Sequence, residues 1–467
     1  MEGTWVAILP FMIVIVAAIA TKQVFPGLVL GLVVGAYMVE PTFLGGIQQT
    51  VNYIVDSLTD INNLKIIIFL YLFSGLVGII KVSGGIKGFV QLTAEKIDSK
   101  KEALLLTWAS TLGTFSAPSF RIVTVAPIMK ALLQKIHMTR RELAFMIETS
   151  TQPVIVLIPI ATALVGYMVS VIQMGLQNQN IDAEPYALFI QSIPFNFFAI
   201  SMIIIGTLFV LLRHSKEKTN EDDDRDPNKV QEDKENHATA DDLPSKPWNL
   251  IVPVVLVIVL TLILTWWDGY SQGYGFFEAF IEADVLQAMV VALFITVLVT
   301  FIVQLAQNNT LKEMIPEFIS SGNNLMSVIL LLSVVWALSL VTEDLGLSEF
   351  VTNNVSWIPT MFIPPVIFLI GGFISYFIGS SWGTWGILMP LGISLAHAGD
   401  ASLTLVIGAV FASGSFGSIT SPLSDNNITI AEIMGMNPLK YARYKLVPAS
   451  IAVAISTILY GVIAMFF

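Results

Sequence analysis

From Phe350 to Gly399 the chain runs for 50 residues without one Asp, Glu, Lys or Arg. A soluble domain needs roughly a quarter of its residues charged to cover its surface. This chain has 12% charged and 55% hydrophobic residues. Apolar stretches near the length that crosses a bilayer, about 20 residues, recur at Trp5–Thr21, Val24–Val39, Leu64–Ile80, Ser192–Leu212, Trp248–Trp267, Val285–Val303, Leu325–Thr342 and Leu446–Phe467. Two longer apolar regions are interrupted. Ala103–Ile181 breaks near Ser116-Ala117-Pro118 and near Ser150–Pro153, and Met361–Met434 breaks near Gly379–Ser381 and near Ser415–Pro422. The chain therefore reads as an all-α polytopic membrane protein. With 34 Asp and Glu against 23 Lys and Arg, and no basic stripe, nucleic acid is not an expected partner. There is no Cys, and the four His have no metal-ligand spacing. Trp5–Thr21 lacks the basic flank of a cleavable signal peptide.

Lys and Arg set the expected orientation. The loop between Ile80 and Ala103 carries Lys81, Lys87, Lys96, Lys100 and Lys101 and is assigned to the cytoplasm. Alternating outward, Pro41–Asn63, Gly175–Gln191, Asp268–Asp284 and Glu343–Thr360 fall outside, and none holds a Lys or Arg. Lys130, Lys135, Arg140, Arg141, Lys312, Lys440, Arg443 and Lys445 fall inside. Lys65 is left at an outer helix end, where it can snorkel, and Arg121 inside an apolar region. This alternation needs a re-entrant hairpin in each interrupted region, one turning near Ala117-Pro118 and one at Gly379–Gly383. Both termini are then expected outside a bacterial plasma membrane.

The two halves have one plan: plain spans, a hairpin, a broken helix and a final span. Residues 1–213 read as a first repeat, 214–247 as an acidic cytoplasmic linker containing Glu221-Asp222-Asp223-Asp224, and 248–467 as a second repeat. Gly85–Val90 aligns weakly with Gly346–Val351, and Val125-Ala126-Pro127 with Leu388-Met389-Pro390. One half starts outside and the other inside, so the repeats have inverted topology. Broken helices at corresponding places of inverted repeats are the pattern of secondary transporters. No nucleotide-binding GxxxxGK[ST] occurs, and no nucleophile–base pair or cofactor motif suggests an enzyme.

The chemistry gathers at the interruptions. Asp425 follows Ser418-Ile419-Thr420-Ser421-Pro422-Leu423-Ser424 and precedes Asn426-Asn427. A carboxylate at membrane depth costs roughly 2.5–3.5 kcal/mol and is presumed functional. Hydroxyl, amide and carboxylate oxygens suit a small hard cation, and Pro422 frees backbone carbonyls to join them. The second cluster is Ser380-Ser381-Trp382-Gly383-Thr384, whose glycines allow a sharp turn. Asp425, Ser381 and Thr384 are the candidate ligands of a transported Na⁺. The first half supplies Ser116, Ser119, Thr151, Arg121 and Glu148. Arg121 needs a partner inside the membrane, with Glu148 the nearest acid by topology and Asp425 the other.

Ser380-Ser381-Trp382-Gly383-Thr384-Trp385-Gly386-Ile387-Leu388-Met389-Pro390 and Phe416-Gly417-Ser418-Ile419-Thr420-Ser421-Pro422-Leu423-Ser424-Asp425 resemble the NhaC-type Na⁺/H⁺ antiporters of the ion transporter superfamily. The resemblance implies export of Na⁺ in exchange for H⁺. Some relatives exchange malate for lactate, so an ion-coupled carrier of a small organic acid or amino acid is the alternative. Similar proteins often carry Asp where this chain has Ser418, which leaves one carboxylate fewer here. The expected partners are Na⁺, H⁺ and the lipid bilayer, with a homodimer as the candidate assembly.

Overall fold

The computed structural model describes residues 4–85, 88, 99–114, 118–131, 133, 138–159, 162–212, 246–276, 279, 283–355 and 358–466. The hairpin turn expected at Ala117, the site residue Ser116, His137, and nearly all of the 214–247 linker lie outside these residues. So does the side chain of Ser119.

The first half begins with α1 (Leu9–Thr21), α2 (Val24–Val39), α3 (Phe43–Thr59) and α4 (Ile61–Val82). Small residues set the close packing of α1 on α2. A Cβ at Gly27 would lie 2.7 Å from the Val14 carbonyl oxygen, and one at Gly31 2.8 Å from that of Pro10. This four-residue spacing of glycines lets two backbones approach where lipid gives no hydrophobic drive for helix association. The half continues with α5 (Lys100–Thr114), α6 (Pro118–Ala131), α7 (Arg140–Thr149), the single turn α8 (Gln152–Ile155), α9 (Ala163–Asn178), α10 (Pro185–Ser192) and α11 (Phe197–Leu212). The second half runs α12 (Trp248–Ser271), α13 (Val285–Ala306), α14 (Leu311–Asn323), α15 (Met326–Asp344), α16 (Leu347–Val355), α17 (Ile363–Ile378), α18 (Ser381–Ala398), α19 (Leu403–Thr420), α20 (Asp425–Met434) and α21 (Pro438–Ile463). No strand occurs among the described residues, and eight helical segments among them are long and apolar enough to span a bilayer. The protein is an all-α polytopic membrane protein.

Two elements fall where loops were expected. Within Pro41–Asn63 lies α3, whose Thr42 side chain caps it by accepting from Gly45 N–H. Within the stretch after α13 that holds Lys312 lies α14, opened by a Thr310/Glu313 capping box. Both are amphipathic and present exposed apolar residues, among them Phe43, Leu44 and Val51 on α3 and Leu311, Ile315 and Ile319 on α14. They occupy the same place in their halves, between the second and third spans.

Packing crosses between the halves in matched pairs. Helix α14 lies on α4, and α3 on α15; α13 lies on α4, and α2 on α15. In the hairpin regions, α9 of the first half packs on α18 of the second, and α20 of the second packs on α6 of the first. The final spans α11 and α21 pack on each other. At 1.5 Å per residue, α5 and α6 are each about 22 Å long, short of a hydrocarbon core of about 30 Å.

Candidate ion-binding site

The hairpin of the second half turns at Gly379, which ends α17 in the left-handed region with φ 76°. Ser380 then caps α18, its hydroxyl accepting from Gly383 N–H at 3.2 Å. Ser381 is buried, and buried Thr384 donates its hydroxyl to the Ser380 carbonyl at 2.8 Å. Aromatic contacts hold this turn. Tyr167 on α9 donates to the Trp382 carbonyl and meets the Trp382 ring edge-on, centroids 4.8 Å apart. Trp385 is fully buried and donates its indole N–H to the Phe411 carbonyl at 3.1 Å.

Helix α19 stops at Thr420, and the chain stays extended at Ser421 and Ser424, around Pro422, before α20 begins at Asp425. The break is internally bonded. The Ser424 hydroxyl donates to the Ser418 carbonyl at 2.6 Å, and the Asn426 amide donates to the Ser418 hydroxyl at 3.2 Å. Leu423 N–H donates to the Ser421 hydroxyl at 3.1 Å. Ser418, Ser421, Asn426 and Asn427 are buried, whereas Asp425 is exposed. Asp425 stands on the first turn of α20, where the helix dipole favours a carboxylate. Asn427 donates to the Pro438 carbonyl at 3.1 Å, but its buried Oδ1 has no hydrogen-bond partner.

Turn and break touch. A Cβ on Gly379 would lie 2.7 Å from the Leu423 carbonyl carbon and 2.9 Å from its oxygen. The two motifs singled out in the sequence thus meet at one place, through residues 44 positions apart. Among the described residues no three His, Asp or Glu side chains gather. A cation held here would depend on hydroxyl, amide and backbone oxygens with Asp425 as the one acid.

The first half has a different centre. Arg121 on α6 is fully buried. Its guanidinium donates to the Thr107 carbonyl at 2.6 Å, to the Ser110 hydroxyl at 3.1 Å, and to the Ser150 and Thr151 hydroxyls, each at 2.9 Å. These bonds tie the hairpin arms α5 and α6 to the break after α7. Because α6 packs on α20, the Arg121 helix lies against the Asp425 helix.

Glu148 is engaged elsewhere than expected. Its carboxylate receives Lys445 Nζ at 2.9 and 2.8 Å and the Tyr441 hydroxyl. Lys445, which the sequence offered only as a marker of the inner side, is wholly buried. Three residues away from Pro438, Tyr441 opens a face of α21 that Lys445 continues one turn later. That i, i+4 spacing was the available signal, but a lysine near a basic helix end reads first as a topology marker. Lys65, read as snorkelling, is paired with Asp284 at 2.7 Å.

A cavity of about 450 Å³ lies apart from the break. Asn62, Gln173, Gln177, Glu184, Tyr186 and Asp284 supply its polar lining, and none of these was singled out in the sequence.

Helices broken at corresponding places in two halves, with cross-packed hairpins, are the pattern of a secondary transporter. The model of the Na⁺/H⁺ antiporter family matches residues 154–465, about two thirds of the chain, and the chain belongs to that family. It is 24% identical over 447 residues to an uncharacterised protein of Haemophilus influenzae, covering 91% of this chain and 84% of that one. Two solved structures share the fold. MtrF of Neisseria gonorrhoeae, described with a class of antimetabolite efflux pumps, matches with TM-score 0.64 at 15% identity, over 89% of this chain and 84% of that one. The YdaH transporter of Alcanivorax borkumensis, described as having an unusual topology, matches with TM-score 0.63 at 14% identity, over 90% and 89%.

Proposed function

We propose that the protein exports Na⁺ in exchange for H⁺, by alternating access between two inverted-topology repeats, residues 1–213 and 248–467. The observation that carries this reading is the contact of Gly379 with Leu423, which joins the serine-rich turn to the break that opens on Asp425. There one carboxylate, the hydroxyls of Ser380, Ser381, Thr384, Ser418 and Ser421, and the amides of Asn426 and Asn427 surround the junction. The unpartnered Asn427 Oδ1 is an oxygen ready for a cation. A proton and Na⁺ compete for Asp425, and the change of face between the two occupancies couples their fluxes. The family supports the pair of substrates.

In everted vesicles, Na⁺ should dissipate a pre-formed pH gradient. Asp425→Asn should abolish that response while the protein remains folded in the membrane, because an amide keeps the shape but cannot bind and release a proton. Asp425→Glu should keep part of the activity with altered apparent Na⁺ affinity. Wild-type response in Asp425→Asn would remove Asp425 from the coupling site.

An ion-coupled carrier of a small organic acid or amino acid is the second reading. It is favoured by Ser418, where the resembling proteins often carry an Asp, and by the cavity of about 450 Å³, far larger than Na⁺ needs. Arg121 is a poor carboxylate clamp for such a substrate, since four protein oxygens already take its N–H groups. Labelled malate, lactate and amino acids tested in the same vesicles separate the two readings.

A further inference from the structure

The cavity of about 450 Å³ has no part in the Na⁺/H⁺ reading. Both halves wall it: the start of α4, much of α9 and the start of α10 from the first, and the start of α13 from the second. Its size falls within the roughly 300–1,000 Å³ of small-molecule sites. An inorganic cation would leave most of that space unfilled, and the apolar wall of Val169, Leu176, Leu286 and Met289 without a partner.

The polar lining is placed by helix ends. Glu184 caps α10, its carboxylate accepting from Tyr186 N–H at 2.7 Å. Asp284 caps α13, accepting from Gln287 N–H at 2.9 Å. Capping fixes where each carboxylate stands. Asn62 lies in the first turn of α4, and Gln173 and Gln177 are one turn apart on α9. The side-chain amides of these three make no hydrogen bond to the described residues, although all three residues line the cavity. Tyr186 is tethered in the wall by its hydroxyl, which donates to the Pro159 carbonyl at 2.9 Å.

Charge decides the class of ligand. The lining holds two carboxylates and no Lys, Arg or His. Lys65 already sets one ammonium on Asp284, 2.7 Å from Oδ2, so the rim is suited to that group. Glu184 is in no ion pair among the described residues. Desolvation by the surrounding wall, and then the Asp284 charge, push the Glu184 carboxyl above its ordinary value. A third acid stands beside the rim, since the Asp268 carboxylate accepts from Asp284 N–H at 2.9 Å. Such a rim draws cations and repels anions such as malate or lactate. The Tyr186 ring adds an aromatic group of the kind that ammonium ions favour.

We propose that this cavity is a binding site for a small organic ammonium compound. The ammonium sits on Glu184, polar substituents meet the unbonded amides of Asn62, Gln173 and Gln177, and the hydrocarbon body fills the apolar wall. The site is separate from the Asp425 junction, and the proposal does not rest on the Na⁺/H⁺ reading.

The test is calorimetric titration of the purified full chain in lipid nanodiscs at neutral pH, with three probes that share one ring: benzylammonium, phenylacetate and benzyl alcohol. Benzylammonium should saturate one site per chain and bind about tenfold or more tightly than either of the others. Glu184→Gln keeps the cap, because the amide oxygen still accepts from Tyr186 N–H, and should weaken benzylammonium about tenfold. Gln173→Leu should weaken it less. Asp425→Asn should bind it as wild type does. Equal heats from all three probes show partition into lipid and overturn the proposal, as does the absence of saturation by benzylammonium at millimolar concentration. Neither of these measurements needs a variant to fold. Unchanged affinity in folded Glu184→Gln overturns it too, and lost affinity in Asp425→Asn moves the ligand to the junction and empties this cavity. The Na⁺ response of everted vesicles is read separately, so failure of the antiport reading alters none of these outcomes.

Discussion

Arg121 has the most demanding surroundings of any single residue here. Three of its nitrogens reach oxygens on two different segments: Thr107 and Ser110 on α5, and Ser150 and Thr151 at the break after α7. Arg121→Ala leaves these oxygens without their donors and opens a cavity where a large side chain was buried. Removing a buried partner costs about 1–3 kcal/mol in unmet hydrogen bonding alone, so the unfolding midpoint in detergent should drop and transport should fail. Arg121→Lys restores the charge from one nitrogen, which cannot span the positions that Nε, Nη1 and Nη2 occupy. It should recover part of the stability and little transport. Wild-type stability in Arg121→Ala would show that the guanidinium organises nothing. The need for a partner was readable from a lone Arg in an apolar run. Which partner was not, because a chain of hydroxyls and a carbonyl leaves no charge signature, and because Lys445, counted with the cytoplasmic charges, had already taken Glu148.

Among the elements, the joint between the α17–α18 turn and the α19–α20 break depends on one glycine. Gly379 has φ 76° and its missing Cβ would lie 2.7 Å from the Leu423 backbone. An L-residue in the left-handed region costs about 1–2 kcal/mol, and here the side chain must also push the break away. Gly273 is the control: it has φ 95° with nothing within 4 Å of a Cβ. Gly379→Ala should lower the unfolding midpoint more than Gly273→Ala and should alone impair transport. Equal losses would mean that backbone strain is the whole effect and the joint is loose. The long spans and both interruptions were legible because apolar length and Gly, Ser and Pro are strong local signals; α2 runs over Val24–Val39 as expected. Helices α3 and α14 were not. Each is half polar and stabilised by its cap and by a partner helix from the other half, a form of support that no local pattern records.

At the scale of the molecule, the matched cross-packing of α14 on α4 with α3 on α15, and of α9 on α18 with α20 on α6, is what two copies of one plan related by a two-fold axis would produce. Inverted topology then follows only if the first half starts on the opposite side of the membrane from the second. The chain offers a direct test, since it has no Cys and any introduced thiol reports alone. Lys- and Arg-free Gly175–Gln191 is expected outside. Within it Asp182 is exposed and free of helix, whereas Asn178 is tied to the Ser339 hydroxyl at 2.7 Å, so Asp182→Cys is the cleaner probe. In intact cells an impermeant maleimide should label Asp182→Cys and spare Asn228→Cys in the acidic linker, and permeabilised cells should label both. If Asn228→Cys reacts from outside and Asp182→Cys does not, the assignment inverts as a whole and both termini move to the cytoplasm. If both react from outside, an even number of crossings lies between Asp182 and Asn228, and α11 is then not the single span that carries the chain from one face to the other.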